Sequence, residues 1–291
     1  VEFEALPTGW VDAREPAVRT SSRVEKKPHW NVELRGNIES DFIYVTLLGG
    51  DIVKFGYKEL RPVTLPIQPS GSGYAMLDVE ELDQKGLTRM AEWLEKAQRI
   101  WERKAKEKAK KSCPNVISWL NYRNKLSNQN PKAKYLVLFN AAGTNLFSCV
   151  IDKQELPQLE IGKTVINPMG FVADSKTYFY ETNDEKDAHY LCAILNSTVL
   201  NKAIKPYQTR GLFGERDISR RPFKFPVPRF NKNNSNQLEL VELSKICHAK
   251  VSSLDLKGKR SASARKEATR VVEKELKKID GIVKKIMPQL S

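Results

Sequence analysis

The chain is poor in the residues that carry metal and covalent chemistry: of 291 residues, three are histidine and four are cysteine. His29, His189 and His248 are scattered, and none has an acid–base partner at a recognisable spacing. Cys113, Cys149, Cys192 and Cys247 lie too far apart for a CxxC or Cys/His ligand set, so no metal site is expected. Buried, reduced thiols of a cytoplasmic protein are the expected state. Long apolar runs are also missing; without about 18 consecutive apolar residues no transmembrane helix is expected, and no membrane partner. The opening VEFEALPTGW has no basic n-region, no apolar h-region and no initiator Met. Such a start is not that of a signal peptide and is expected of a fragment or processed chain, from which any catalytic machinery could have been left out.

Catalytic motifs are absent in turn. There is no Walker A loop, HExxH, GxSxG or kinase motif set. Gly71 and Gly73 form a bare GSG after Pro69–Ser70, which reads as a flexible loop, since no strand and helix flank it. Enzymes that methylate exocyclic amines use an Asn/Asp-Pro-Pro-aromatic loop to hold and stack a flipped base. Here NPKA (130–133) and NPMG (167–170) lack the second proline and the ring, so both read as turns. A nuclease needs clustered carboxylates and a lysine around Mg²⁺. Asp12, Glu25 and Lys27 are the nearest approach, in a chain so charged that such a match arises by chance. No catalytic residue is therefore assigned.

What the chain does have is positive charge, unevenly spread. The net charge is +14, yet residues 1–80 hold 9 Lys/Arg against 12 Asp/Glu, so the remainder carries +17. A surplus of that size in one part fits a polyanion-binding surface. With 40% hydrophobic residues the chain also has the means to build a core.

Periodicity divides the chain into four blocks of an α+β protein. Residues 1–86 are the N-terminal α/β part, irregular to 37, with a short helix and turn expected over 38–56 although FIYVTLL there has strand propensity too, a strand over 59–67 and a loop over 68–73. Residues 87–130 are helical. Leu87, Met90, Leu94, Ala97 and Trp101 recur at spacings of three and four, the tail 102–111 frays into solvent, and a second helix covers 116–129. Residues 131–230 are β-rich, with strands expected at 135–140, 146–151, 163–167, 170–174 and 176–182. A helix follows from the Asn183–Asp184 cap to about Lys205, and then a proline-bounded edge strand at 223–228. Residues 231–291 form a C-terminal helical hairpin, with Leu240, Leu243, Cys247 and Val251 on one stripe and Ala268, Val272, Leu276, Ile279, Val283 and Ile286 on the other.

The least generic stretch is TRGLFGERDISRRPFKFPVP, residues 209–228. It holds four arginines, three phenylalanines and three prolines around two glycines. Together with YLVLFNAAGTNLFSCVID, the run from Gly170 through Phe230 and AEWLEKAQRIWERK, it resembles the C-terminal part of N6-adenine DNA methyltransferases. These are of the single-chain restriction–modification type, and the region is akin to the specificity domains of type I systems. The likeness covers roughly 38–250 and is most detailed in 135–230. It implies a mixed target-recognition-type domain with short strands and flanking helices, lying on DNA opposite a methyltransferase domain. It also implies S-adenosylmethionine as that domain's cofactor, and no cofactor for this chain, which lacks the glycine motif and the catalytic loop.

The resemblance gives the arginine-rich stretch a role that its chemistry supports. The guanidinium forks of Arg210, Arg216, Arg220 and Arg221 suit phosphate oxygens or guanine O6/N7. Gly211 and Gly214 let the backbone approach closely or take a positive φ. Phe213 is placed to wedge or stack, and Lys202 and Lys205 extend a phosphate track. An alternative is a solvated loop whose arginines pair with Glu215 and Asp217, Arg216 with Asp217 being one such structural pair. In AAGTN (141–145), Thr144 and Asn145 either reach a base edge or serve a hairpin turn. Lys163 and Lys176 are further phosphate contacts.

The expected function is sequence-specific recognition of double-stranded DNA, with the methyltransferase domain as partner in cis or in trans. Two alternatives stay open: a metal-dependent nuclease using Glu25 and Lys27, and a helical protein-docking scaffold with incidental charge.

Overall fold

The computed structural model describes residues 2–6, 13–22, 32–211 and 214–290. It is an α+β protein of many short strands and flanking helices, as the block pattern implies. Asp12, Glu25, Lys27 and His29 lie outside the described residues.

The chain forms two compact units that interleave along the sequence. The first comprises residues 1–46, 61–132 and 155–172. Its amino-terminal stretch is more regular than expected, since Phe3–Ala5, Ala17–Thr20 and Arg35–Asn37 pair antiparallel in one sheet. The helix expected over 38–56 is instead a single 3-10 turn followed by the strand Ile43–Thr46, paired with Arg61–Thr64. All four residues of Ile43–Thr46 are buried. A strand covered on both faces reads as a continuous apolar run, which periodicity cannot separate from a buried helix. The GSG segment is a hairpin turn between Ile67–Ser70 and Gly73–Met76, with Gly71 at φ +61°. A Cβ at Gly73 would stand 2.3 Å from the Ser127 carbonyl oxygen, so only glycine fits there.

Helix α1 (Val79–Gln84) starts at a reciprocal capping box between Asp78 and Glu81. Helix α2 (Thr88–Lys104) has no local cap. Its first amides, Arg89 and Met90, donate to the two carboxylate oxygens of Glu39 at 2.9 and 2.8 Å. Met90, Trp93 and Leu94 then pack on Phe42, Ile43 and Leu82. The expected fraying after residue 102 does not occur. A further helix α3 (Glu107–Ser112) follows, with Ala109 against the Trp101 cluster. The helix expected over 116–129 is only α4 (Val116–Leu120), because Arg123 and Asn124 both adopt φ near +57°.

The second unit comprises residues 47–60, 133–154 and 173–291. Its antiparallel sheet has Tyr135–Asn140 in the centre, Ser148–Asp152 on one side and Thr177–Thr182 on the other. The segment 170–174 forms only an isolated bridge at Phe171. The helix expected from 184 to 205 is two helices, α5 (Glu185–Asn196) and α6 (Thr198–Ile204). The break is at Ser197, whose hydroxyl accepts the Leu200 amide and caps α6. The stretch 223–228 is not a strand: Arg221–Lys224 is a 3-10 turn that leads into extended chain without a sheet partner. Pro226 and Pro228, which have no N–H to give to a ladder, account for that.

Helix α7 (Ser235–Ser252) packs along α5, and the rest of the C-terminal hairpin is split at Val272 into α8 (Ser261–Val271) and α9 (Glu273–Ile286). The stripe residues Leu240, Cys247, Val251, Val272, Ile279 and Val283 all enter the one core of this unit. All four cysteines are free and buried. No helix among the described residues is long and apolar enough to cross a membrane.

Candidate nucleic-acid interface

Two stretches singled out in the sequence, 141–145 and 209–221, meet in the second unit. The first connects the strands Tyr135–Asn140 and Ser148–Asp152 and is held from within by Asn140. The Asn140 amide donates to the carbonyls of Ala142 and Asn145 at 2.9 and 3.0 Å, and its Oδ1 accepts the Phe147 amide at 2.8 Å. Gly143 sits at φ +129°, a conformation that glycine alone takes without strain.

The second stretch is laid against the first through backbone hydrogen bonds. Gly143 N–H donates to the Arg216 carbonyl at 2.6 Å, and Ile218 and Ser219 N–H both donate to the Ala141 carbonyl, at 3.0 and 2.9 Å. The side-chain amide of Gln208 donates to the Gly143 carbonyl at 3.1 Å. From a third side, Ala141 N–H donates to the carbonyl of Lys176. Helix α6 completes the clamp: Asn201 accepts the Leu146 amide at 2.8 Å and donates to Asn145 Oδ1 at 3.1 Å. Lys205 Nζ donates to the Thr144 carbonyl and, at 3.1 Å, to Asn145 Oδ1.

These contacts sort the candidates. Lys176, Lys202, Arg216 and Arg220 are exposed, as are Thr144 and Asn145. Arg221 is turned inward, where it forms an ion pair with Asp217 at 2.8 Å and donates through Nε to the Tyr207 carbonyl at 3.0 Å. Asp217 thus has Arg221 as an ion-pair partner. Asn145 and Lys205 spend polar atoms on each other, the arrangement of a braced turn. Arg210 pairs with Glu215 and Gly211 with Gly214 in a short antiparallel ladder, and Phe213 lies outside the described residues. Gly211 does not take a positive φ; a Cβ there would stand 2.7 Å from Arg216 Nε, so a larger residue would displace that side chain. Lys163 belongs to the other unit.

Sequence reasoning missed Asn140, Asn201, Gln208 and Lys224. Lys224 lies over the Tyr207 ring at 4.3 Å, and Phe223 stands 49% exposed beside it. Lys224 was within reach, since it belongs to the quoted stretch. The three amides carry no local signal, because each acts on a residue far from it in sequence or inside a turn.

Among the described residues, catalytic geometry does not emerge elsewhere. Beneath the sheet, Cys192 Sγ lies 3.9 Å from His248 Nε2 and accepts from Asn196 at 3.4 Å, superficially a nucleophile and base. His248 Nε2, however, accepts the Val150 amide at 3.0 Å, while Nδ1 faces the Ser244 carbonyl at 2.8 Å and so carries the proton. The ring has no lone pair left to serve as a base. Burial pushes the Cys192 thiol up to about 12 and holds His248 down near 4, so both are neutral. His189, packed on His248 and 3.1 Å from Ser244 Oγ, is likewise pushed down to about 3, chiefly by burial. Lys54, buried with Nζ donating to the Asn196 carbonyl, is lowered to about 8 for the same reason. Among the described residues no group of three His, Cys, Asp or Glu side chains could hold a metal ion.

The sequence matches no family model and no curated protein. The fold is similar to that of MmeI, a type IIL restriction-modification enzyme solved in complex with DNA, with a TM-score of 0.53 at 12% sequence identity. The alignment takes in 84% of this chain and 28% of that enzyme, so the chain spans little more than a quarter of the neighbour's length. At that identity the likeness is one of fold.

Proposed function

We propose that this chain is a target-recognition part of a restriction–modification enzyme of the adenine-N6 methyltransferase type. It reads a specific sequence in double-stranded DNA, while S-adenosylmethionine-dependent methylation belongs to a methyltransferase domain acting in cis or in trans. The observation that carries this reading is the joining of 141–145 to 209–221 into one braced surface, with exposed cations on and beside it in sequence. A fold shared with an enzyme solved on DNA supports it.

On this reading Arg216 and Arg220 are the direct contacts, to phosphates or to guanine edges, and Lys176 and Lys202 flank them on backbone phosphates. Arg221, Asn145 and Lys205 hold the loops in register. The test is duplex binding by Arg216→Ala and Arg220→Ala over a salt series. If the arginine grips a phosphate, its removal should lower affinity alike for all sequences and reduce the salt slope by about 0.9. If it grips a base edge, its removal should cost about 1–3 kcal/mol on the preferred sequence alone. Wild-type affinity and slope in both variants would refute the assignment.

A further inference from the structure

The densest positive charge in the molecule is not at that interface. Between 103 and 125 there are eight Lys/Arg and one carboxylate, a net +7 that makes up half of the chain's +14. These residues belong to the first unit and run through the end of α2, α3 and α4. The one carboxylate, Glu107, is taken by Lys110 at 3.6 Å. Arg103, Lys106, Lys108 and Lys111 are exposed, and among the described residues none of them pairs with a carboxylate.

Lys108 and Lys111, three apart on α3, repel each other, which Glu107 in the first turn and the basic last turn offset only locally. The segment is nonetheless built rigidly. Ala109 packs on the Trp101 cluster, and the Trp119 ring of α4 lies against Trp101 with centroids 4.9 Å apart. The next turn sets Arg123 and Asn124 at φ +57°, and the Arg123 guanidinium lies over the Tyr122 ring at 5.1 Å. A concavity of about 520 Å³, lined by Ser112 at the end of α3 and by Tyr122 and Arg123, joins the lysine helix to that arginine. Charge and concavity thus form one continuous surface on a braced support.

We infer that residues 103–125 form a second DNA-binding surface that grips backbone phosphates without reading sequence, with Lys106, Lys108, Lys111 and Arg123 as its contacts. The site extends the recognition role proposed above and rests on it only for the identity of the polyanion. Base stacking on single strands is disfavoured, because Arg123 covers the face of Tyr122 and one side of Trp119 lies on Trp101. A membrane surface is disfavoured too, because α3 turns its apolar Ala109 inward and keeps no apolar face to insert.

The test is the full chain carrying Lys106→Ala, Lys108→Ala, Lys111→Ala and Arg123→Ala, titrated with a duplex of unrelated sequence over a salt series. Far-UV circular dichroism and the melting temperature check that the fold is kept. Affinity should fall about tenfold or more near 100 mM salt, and the salt slope should drop by about two to four, at roughly 0.9 per phosphate released. The preference for a target over an unrelated duplex should stay as in the wild type. Should the fourfold variant melt early, Lys108→Glu alone, at an exposed position, should show the same change on a smaller scale. An unchanged slope would overturn the inference, as would loss of RNA or anionic-vesicle binding with duplex binding intact. A chain that binds duplex without preference, yet loses slope in the variant, keeps this surface and removes the recognition role; intact preference with an unchanged slope does the reverse.

Discussion

At Gly211 a single missing methyl group determines where an arginine can lie. Gly211→Ala would set a Cβ 2.7 Å from Arg216 Nε and 2.8 Å from Cδ, atoms near the middle of that side chain. The expected outcome is displacement of Arg216 and weaker duplex binding with little change in melting temperature, since Gly211 is exposed. Unaltered binding would show that the position of Arg216 does not matter to DNA. Elsewhere a residue-scale effect acts on stability. His189 and His248 are held near 3 and 4 in the folded chain, against about 6.5 when unfolded. The unfolded state therefore binds more protons, and the contribution of these rings is complete above pH 6.5 and lost as pH falls toward 4. Each ring should cost up to about 1.4 kcal/mol per pH unit in that window. Chemical denaturation at pH 7, 6 and 5, above most carboxylate titration, checks this, and a flat profile would contradict it. The sequence places His189 on an amphipathic helix, which points to a packing or surface role and not to base catalysis. The tautomer of His248 is not legible there, because Val150 and Ser244 are brought to it only by folding.

Among the elements, those with a strong local pattern were legible and those set by distant contacts were not. Tyr135–Asn140 and Thr177–Thr182 announce themselves by β-branched and aromatic residues, and Leu240 through Val251 by helical spacing. Ile43–Thr46 is as rich in β-branched and aromatic residues and so has strand propensity, but, buried on both faces, it shows no alternation to set against a capped helix and turn. The start of α2 was legible as a stripe, but its cap, Glu39, lies some 50 residues upstream. The clamp of Asn140, Asn201 and Gln208 on 141–145 was illegible for the same reason, although both joined loops stood out by composition. Ser197 is the informative element boundary. Its hydroxyl caps α6 and donates to the Ile194 carbonyl at 2.8 Å, and α6 carries Asn201 and Lys202 to the interface. Ser197→Ala should cost about 1 kcal/mol or somewhat more in a urea titration, since the site is buried. It should also weaken binding by loosening α6, and a neutral result in both assays would show that the break is set by packing alone.

On the scale of the whole molecule, +7 of the surplus of +17 beyond residue 80 is spread over residues 231–291, and two tighter concentrations lie outside them. One lies on loops joined from distant parts of the sequence, the geometry suited to reading bases. The other is a run of lysines on short helices, the geometry suited to neutral phosphate anchoring. A division of labour of this kind gives affinity to one surface and selectivity to the other, and the two should separate under substitution. The central claim is the selective half, that the braced loops read sequence. Selection from a random duplex pool with the intact chain at about 150 mM salt, where exposed charges are screened beyond roughly 8 Å, tests it most directly. The account expects an enriched motif of a few base pairs that vanishes or changes in Arg216→Ala and Arg220→Ala. Retention of the pool without enrichment would contradict it.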